Sequence, residues 1–374
     1  QPRSRGLGDV YKRQGVVANS GGFHSDTGKE LVSFGGSSPT ENAYYINGFN
    51  TTDPLNTAGG LTLPYGAIDQ QEIYTGGYSA QFGRSDGGVI NAVGKHGTNQ
   101  WHYGAQVLWQ PDWGRAEAKN SHYANGLPDS PLAGDLYHYN GANRTDSYTV
   151  SAYAGGPIIR DRLFFFAAGE FQRDWTDSTN TLDSGGNYVS QTSKMPRAYV
   201  KLNWNINDNN LLELTGVRDR LDSSSNVYAY DYKTLTRSGF LYANGDSQYG
   251  GDMWVARYTG YLTDTLTLSA TYGEMDTKMY NAQPPNYDPT LVRVDNWTYQ
   301  NPALNGGTPR YNNQIQGDLS EPDRGNHSSN LRVDLAWTLG NHTLSAGIDN
   351  IRSQALDQGC LLYTSDAADD LLCV

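Results

Sequence analysis

The feature that most constrains this chain is a repeated alternation of apolar and polar residues. Between 197 and 206 the pattern separates two sets, Ala198, Val200, Leu202, Trp204 and Ile206 against Tyr199, Lys201, Asn203 and Asn205. Successive side chains of a strand point to opposite faces, so a period of two indicates half-buried β-strands. Patterns of this kind predict about nine strands, near 101–110, 146–157, 162–175, 194–206, 210–222, 251–262, 265–276, 328–339 and 342–353.

The connections between these strands are short and long in strict alternation. The short ones are 156–161, 207–209, 263–264 and 340–341, and they contain the turn residues of β-hairpins. The long ones are 111–145, 176–193, 223–250 and 277–327. All short turns therefore lie at one end of the sheet and all long loops at the other. This layout is typical of an outer-membrane β-barrel with short periplasmic turns and long external loops.

A soluble β-sandwich or barrel is the alternative, since its strands also alternate. Two observations favour the membrane. The predicted strands are longer than the usual five or six residues, and the inward face carries more charge than a dry core accepts, at Lys201, Glu213, Arg257, Arg332 and Asp334. We therefore expect Trp204, Trp254 and Trp337, on the apolar face, to lie in a membrane interface.

Charge and hydropathy exclude some classes of function. The formal net charge is −12, which argues against nucleic-acid binding, because that requires a basic surface. No apolar run approaches the roughly 20 residues of a membrane helix. Residues 1–14 and 360–374 lack the pattern of the body and resemble translated adapter sequence, so we interpret both as non-native ends. The cysteines, Cys360 and Cys373, lie in the second of them.

Residues 15–98 differ in character and are rich in glycine. Tyr44–Phe49 predicts a short strand and turn, and Ala67–Tyr74 predicts a short helix running into a strand. The run 72–84 (EIYTGGYSAQFGR), followed by 87–93 (GGVINAV) and 95–99 (KHGTN), resembles the plug domain of TonB-dependent outer-membrane receptors. It is most similar to the Oar-like, OmpA-related subfamily of these receptors. The residue before Lys95, usually Thr in the wider family, is here Gly94.

The resemblance implies the domain order and the fold class. It implies a mostly β protein, with an N-terminally truncated plug domain at 15–98 followed by a partial transmembrane β-barrel at 99–355. The barrel part would be the first nine or so strands of a large antiparallel barrel, because single-chain bacterial barrels have even strand numbers. The chain is therefore expected to be a fragment.

The resemblance also implies function and partners. Such receptors sit in the bacterial outer membrane, in contact with its lipid and lipopolysaccharide, and import scarce nutrients with energy delivered by the TonB complex. The TonB-contacting segment is expected upstream of residue 15. The expected ligand is an unidentified small molecule, oligosaccharide or peptide, and the full-length protein is expected to be a monomer without a cofactor.

Glycines and one ion pair are the first candidate site residues. A plug must turn tightly and approach the barrel wall closely, which glycine allows. We expect the turn glycines to shape the plug rather than to bind ligand; they are Gly76, Gly77, Gly83, Gly87 and Gly88. Arg84 and Asp86 are expected to anchor the plug to the wall.

Candidate ligand contacts come from a loop at 49–65, predicted to be the plug apex, and from long loops of the barrel. They are Asn50, Thr52, Asp53, Asn56, Tyr228, Tyr230 and Trp297. The polar ones also fit a solvated turn, and the aromatic ones also fit loop packing.

An enzyme is not indicated. The seven histidines are scattered without metal-ligand spacing, and no phosphate loop, GxSxG or CxxC motif occurs. Two alternatives to uptake stay open. One is an adhesion or structural protein on the same outer-membrane scaffold, and the other is a secreted soluble glycan-binding β-protein.

Overall fold

The computed structural model describes residues 16–18, 25, 27, 30–55, 57–77, 82, 85–123, 134–182, 185–282 and 325–355. In the described part of the chain, no helix is long and apolar enough to cross a membrane. The short helices are single 3-10 turns, of which one, Pro39–Glu41, begins with a capping box between Ser38 and Glu41.

The first part of the chain forms two small sheets. β1 (Val16–Ala18) pairs antiparallel with β2 (Val32–Phe34). A four-stranded sheet, the plug sheet, has the order β4-β3-β6-β5, and β3 and β6 run parallel. Its strands are β3 (Ala43–Ile46), β4 (Phe49–Asn50), β5 (Ile68–Tyr74) and β6 (Val89–Gly94).

The predicted strand and turn at Tyr44–Phe49 is confirmed, because β3 and β4 are joined by a turn at Asn47 and Gly48, both with positive φ. The short helix expected within Ala67–Tyr74 is wrong. Only the 3-10 turn Tyr65–Ala67 is helical, and the strand begins at Ile68. Antiparallel pairing of β5 with β6 takes up the backbone groups that a helix would have satisfied internally.

The second part forms one large antiparallel sheet, the wall sheet. Nine strands follow each other in the order β18-β17-β16-β15-β13-β12-β11-β10-β7, and β14 pairs with β13 off this path. The strands are β7 (His102–Gln110), β10 (Arg144–Ile159), β11 (Leu163–Thr179), β12 (Tyr188–Asn207), β13 (Asn210–Asp231), β14 (Thr236–Ala243), β15 (Ser247–Thr263), β16 (Leu266–Asn281), β17 (Asn326–Leu339) and β18 (His342–Gln354). The nine predicted strands and the four short turns are confirmed.

Two of the predicted long loops are wrong. Of 176–193 only 180–187 connects the strands, because β11 continues to Thr179 and β12 begins at Tyr188. Most of 223–250 is regular, because β13 continues to Asp231, turns, and pairs with β14. Aromatic and β-branched residues such as Val227, Tyr228 and Tyr230 sustain the strand there. In the connection before β10, β8 (Ser121–His122) and β9 (Leu136–His138) form a small ladder.

The hydrophobic core lies between the plug sheet and the inner face of the wall sheet. Ile46 and Phe49 of the plug sheet are fully buried there, together with the wall residues Phe166, Tyr199 and Met275. The sheet curves around the plug sheet, and neither buries its apolar face without the other.

The outer face of the wall sheet is apolar and exposed. Val200 is 46% exposed and Trp204 47%, and Trp254 and Trp337 lie on the same face. We call this surface the apolar belt; it consists of the outward-facing residues nearer the short turns, among them Phe171, Val200, Trp204, Leu214, Trp254, Leu335 and Trp337. An exposed apolar band over several strands is the surface expected to contact lipid.

We predict that Val200→Arg destabilises the protein folded into lipid bilayers by about 2–4 kcal/mol, the cost of Arg on the lipid face near the midplane. Thr192→Arg, on the same face of β12 but beyond the apolar belt, is the control and should cost at most about 1 kcal/mol. The measurement is the free energy of unfolding in denaturant with vesicles present. Equal costs for the two variants would contradict a lipid-facing belt.

Candidate functional site at the contact between plug sheet and wall

A buried ionic triad on the wall holds the loop that leads into β5. Glu170, Arg197 and Asp219 are direct register partners on β11, β12 and β13, and all three point inward. Arg197 Nη1 bonds Glu170 Oε1 at 2.7 Å, and Arg197 Nε bonds Asp219 Oδ1 at 2.8 Å. The side chains are 6%, 8% and 0% exposed for Arg197, Glu170 and Asp219. Cross-strand pairing therefore positions three charges away from water.

The carboxylates of the triad use their other oxygens to bind residues 51–65, which we call the apex loop. Asp219 Oδ2 accepts from the Thr62 amide at 2.9 Å and from its hydroxyl at 2.5 Å. Glu170 Oε2 accepts from the Tyr65 amide at 3.1 Å. The wall thus supplies charge-assisted acceptors to two backbone N–H groups of an irregular segment, the Thr62 one partly buried and the Tyr65 one exposed.

A second anchor lies at Asp53, near the other end of the apex loop. Its Oδ1 accepts from the Leu55 amide and its Oδ2 from the Thr277 hydroxyl on β16, both at 2.9 Å. The side chain is buried. Asp53, expected as a ligand contact, is placed here between plug sheet and wall, with each carboxylate oxygen bonded to protein.

A third contact joins β6 to the wall through Tyr199. Its hydroxyl donates to the Lys95 carbonyl at 3.1 Å and accepts from Asn47 Nδ2 at 3.3 Å. Asn47 Oδ1 in turn accepts from the Gly94 amide at 2.9 Å. A Cβ on Gly94 would overlap the Tyr199 ring and hydroxyl, which explains why glycine stands where the wider family usually has threonine.

Lys95 and Gly97 continue this contact. The Lys95 ammonium donates to the Gly66 carbonyl at 3.1 Å and lies 5.1 Å from the centre of the Tyr153 ring. A Cβ on Gly97 would overlap the Phe165 backbone. Main chain of the plug segment therefore touches main chain of the wall, which only glycine permits.

The predicted turn glycines have two distinct roles. Gly77 has φ +64° and so adopts the left-handed conformation that glycine favours. Gly87 and Gly88 are instead needed for space, because a Cβ would meet Asn42 Oδ1 at 2.6 Å and overlap the Phe34 ring, respectively. Gly76 is extended. Gly83 lies outside the described residues.

The predicted anchors Arg84 and Asp86 are not among the contacts above. Arg84 lies outside the described residues, and Asp86 occupies an exposed bend before Gly87. Their anchoring role stays a prediction. Sequence reasoning missed the triad, although a signal for it was present. The alternation places Arg197 and Asp219 on the inward faces of strands whose outward residues are apolar.

The remaining ligand candidates are placed as follows. Asn50 and Thr52 bond within the plug, since the Thr52 amide donates to Asn50 Oδ1 at 2.9 Å and the Thr52 hydroxyl accepts from the Tyr44 amide at 3.0 Å. Asn56 and Trp297 lie outside the described residues. Burial raises the pKa of the Tyr44 phenol, so this ring next to the apex loop stays neutral.

Tyr228 and Tyr230 face away from the plug sheet. On β13 their side chains point outward, as the side chain of Leu214 does, and both residues lie beyond the apolar belt. Tyr230 stacks on Tyr139 and Tyr188, with ring centroids 6.4 and 6.1 Å apart. Burial, then the nearby Asp177 carboxylate, raises the pKa of Tyr188 to about 12. A ligand that contacts Tyr228 or Tyr230 would therefore bind on the outer face of the wall sheet.

Two cavities large enough for a small molecule lie between plug sheet and wall in the described structure. A polar one of about 750 Å³ is bordered by all five inward charges expected from the sequence, Lys201, Glu213, Arg257, Arg332 and Asp334. Lys201 pairs with Glu213 at 2.9 Å, and Arg332 pairs with Asp334 at 2.6 Å. An apolar one of about 470 Å³ lies beside the apex loop, with Leu61 and Leu63 in its lining. Among the described residues, no group of three His, Cys, Asp or Glu side chains could hold a metal.

Solved structures define the class of protein. The outer membrane transporter YddB from Escherichia coli is similar over 92% of this chain and 45% of its own, with a TM-score of 0.57 and 17% identity. A variant of the ferric enterobactin receptor PfeA from Pseudomonas aeruginosa is similar over 92% of this chain and 46% of the receptor's chain, with a TM-score of 0.52 and 12% identity. The chain has the fold of the TonB-dependent outer-membrane receptors, with plug and barrel wall.

Sequence comparison narrows the class. The chain is 34% identical over 164 residues to the TonB-dependent transporter Oar of Myxococcus xanthus. The resemblance to the Oar-like receptors is therefore confirmed, and so is localisation in the bacterial outer membrane. The relatives are transporters and receptors, not enzymes. Because they are outer-membrane proteins, the alternative of a secreted soluble glycan-binding protein is rejected.

The matches are partial. The aligned part is 42% of this chain and 14% of the Oar relative, and the chain spans less than half of the two structures. No family model matches the chain.

We predict that Arg197→Ala destabilises the folded protein by about 3–5 kcal/mol, because Glu170 and Asp219 would be left as buried, unpaired charges. Arg218→Ala removes an Arg from the same sheet, but its pair with Asp252 is half exposed, so the expected cost is at most about 1 kcal/mol. Denaturant unfolding of both variants measures the difference. A cost for Arg197→Ala as small as that of the control would refute the triad as an anchor.

We also predict that Gly94→Ala costs about 1–3 kcal/mol by overpacking against Tyr199. Gly216→Ala is the control, because a Cβ there meets nothing within 4 Å. In a double-mutant cycle, Tyr199→Leu should relieve part of the cost, giving a coupling of about 0.5–3 kcal/mol. Simple additivity of the two changes would show that the ring is not what requires glycine.

Proposed function

We propose that the complete protein imports a scarce nutrient across the outer membrane, with energy delivered by the TonB complex. The observation that supports this most is that an independent plug sheet fills the concave side of a polar, charged wall. Between plug and wall lie a few discrete polar anchors and a large cavity lined by polar and charged residues. A plug held in this way closes the pore at rest and has defined contacts to release.

The contacts indicate how a pull would act. The apex loop is held at two places, by the triad through Thr62 and Tyr65 and by Thr277 through Asp53. β6 is held through Tyr199. Force applied to a segment upstream of residue 15 would reach these anchors through the plug sheet. Four of the inward charges around the polar cavity form pairs within the wall, Lys201 with Glu213 and Arg332 with Asp334, so these pairs would stay intact when the plug moves.

The ligand would meet the apex loop first. This loop contacts β11 and β13 near their middles, at Glu170 and Asp219, and β16 at Thr277, nearer its long-loop end. Its chemistry leaves a small ferric chelate, an oligosaccharide and a peptide as candidates. The full-length receptor is proposed to act as a monomer.

An adhesion or structural role on the same scaffold is the second candidate. Extended strands beyond the apolar belt, such as β13 and β14, favour it, because they form a rigid surface projecting from the membrane. That role does not need a movable plug, and this difference separates the two proposals.

The test is to lock the plug in the complete receptor. Thr62→Cys and Asp219→Cys, in a receptor otherwise free of cysteine, would be bridged in living cells by a short bis-methanethiosulfonate, which forms a reducible disulfide to each cysteine. Thr62→Cys alone, treated in the same way, is the control. We predict that bridged cells lose growth on limiting nutrient to the level of a deletion strain, and that a reducing agent restores it.

The panel should contain ferric chelates, oligosaccharides and peptides as sole limiting sources. Growth of bridged cells equal to that of the single-cysteine control on every source on which the deletion strain fails would refute uptake through a moving plug. A deletion strain that loses only surface attachment would favour adhesion.

A further inference from the structure

The apolar cavity beside the apex loop is bordered by two separate hydrophobic clusters. Leu61 and Leu63 belong to the core that the plug sheet shares with the wall. Val32 of β2 and Ile90 of β6 pack in a smaller cluster with Phe34. The space between them has a volume of about 470 Å³. Protein interiors are normally close-packed, and a space of this size is in the range of small-molecule sites.

One face of the plug sheet forms a side of this cavity. Tyr44 pairs with Ile90 across β3 and β6, and Gln71 pairs with Ala92 across β5 and β6. Register partners lie on the same face, and Ile90 and Ala92 are two positions apart, so the four side chains share one face. All four residues border the cavity. The regular pairing of the sheet therefore fixes this side of the cavity.

The apex loop forms another side of the cavity. Leu61 and Leu63 flank Thr62, whose amide and hydroxyl both donate to Asp219 on the wall. Leu61 is 8% exposed and Leu63 5%. The bonds of Thr62 to the wall thus hold the two leucines in place beside the cavity.

The charges around the cavity select against an anionic ligand. Arg197 is the one cation among the described residues that border it, and its guanidinium already bonds Glu170 and Asp219. One cation and two carboxylates leave this triad with an excess negative charge, and Glu30 adds another at the exposed rim. An anion would therefore be repelled. A cation would have to leave water for an apolar lining, so a neutral molecule fits best.

A neutral hydrogen-bonding group is available in the lining. Gln71 is half-buried, and its carboxamide makes no hydrogen bond with any other described residue. A carboxamide can both donate and accept. Glu30 and Tyr65 are the exposed residues of the described lining, so the cavity opens to solvent beside them.

We propose that this cavity binds a neutral, mostly apolar small molecule that forms a hydrogen bond with Gln71. Its apolar part would fill the space between Ile90 and the two leucines of the apex loop, where it gains contacts that an unfilled cavity lacks. Because the molecule would pack against Leu61 and Leu63, binding would also stabilise the attachment of Thr62 to the wall. The site requires only the contact between plug sheet and wall, so it does not depend on uptake.

The test uses the complete receptor in lipid nanodiscs and the photoreactive probe 4-benzoylbenzyl alcohol, which is neutral, aromatic and carries one hydroxyl. Mass spectrometry maps the attachment sites after irradiation, so probe dissolved in lipid is not counted. We expect saturable labelling of peptides that contain residues 30–32, 61–63 or 90–92. The anion 4-benzoylbenzoate, which is matched in size, should need at least about tenfold higher concentration.

Two phenylalanine variants test the space. Ile90→Phe places a ring in the cavity and should weaken labelling at 30–32 and 61–63 at least about fivefold. Ile73→Phe is the matched control, because Ile73 is the register partner of Ile90 but does not border the cavity. It should label like the unchanged receptor.

A further variant, Gln71→Leu, guards against misfolding and should keep the melting temperature of the probe-free receptor. Its apparent affinity for the alcohol should fall about two- to tenfold, the loss expected for one hydrogen bond. No saturable labelling at the cavity, as when the complete plug fills it, or equal labelling of Ile90→Phe and Ile73→Phe, would overturn the site. Equal labelling by the anion would overturn a neutral ligand, and unchanged affinity of Gln71→Leu would overturn Gln71 as its polar contact.

Discussion

The structure depends on the close approach of an irregular segment to the inner face of a sheet. The apex loop has backbone N–H groups that neither helix nor ladder satisfies, and much of it is buried against the wall, including Thr51, Asp53, Leu61 and Leu63. Glu170 and Asp219 accept from two of these groups, and Arg197 between them compensates their charges. Without the guanidinium, two carboxylates would face each other in a site shielded from water, and their cost would exceed any benefit to the loop.

The same constraint explains the glycines. Where the plug main chain touches the wall, at Gly94 and Gly97, there is no room for a Cβ. Where it touches its own neighbours, at Gly87 and Gly88, the obstacle is Asn42 or Phe34. Only Gly77, among the turn glycines expected from the sequence and described here, has a clearly left-handed backbone. Most glycines of this segment are therefore required because neighbouring atoms leave no room for a Cβ, and not because of the turn type.

The wall could be predicted from the sequence and the contacts of the plug could not. Period-two alternation in 197–206 assigns faces residue by residue, and turn residues such as Asp208 and Gly340 fix the hairpins, so strand order and register follow from local information. The partner of Thr62 is 157 positions away, and no local pattern encodes it. The alternation does show that Arg197 and Asp219 point inward, but it does not show that the apex loop packs against them. The strand continuing to Asp231 was missed because the polar run 223–226 (SSSN) interrupts the alternation before Val227 and Tyr228.

The two faces of the wall handle charge in opposite ways, and this follows from what each face contacts. Inward cations are paired at short range, Arg197 with Glu170 and Asp219, and Lys201 with Glu213, because an unpaired charge beside a packed plug has little water to solvate it. On the outside, Lys194 sits exposed at the edge of the apolar belt. A cation at that level keeps its water and needs no buried partner, so it costs little. The same alternating strands can therefore carry tightly paired, buried charges on the face that meets the plug and a solvated cation on the other.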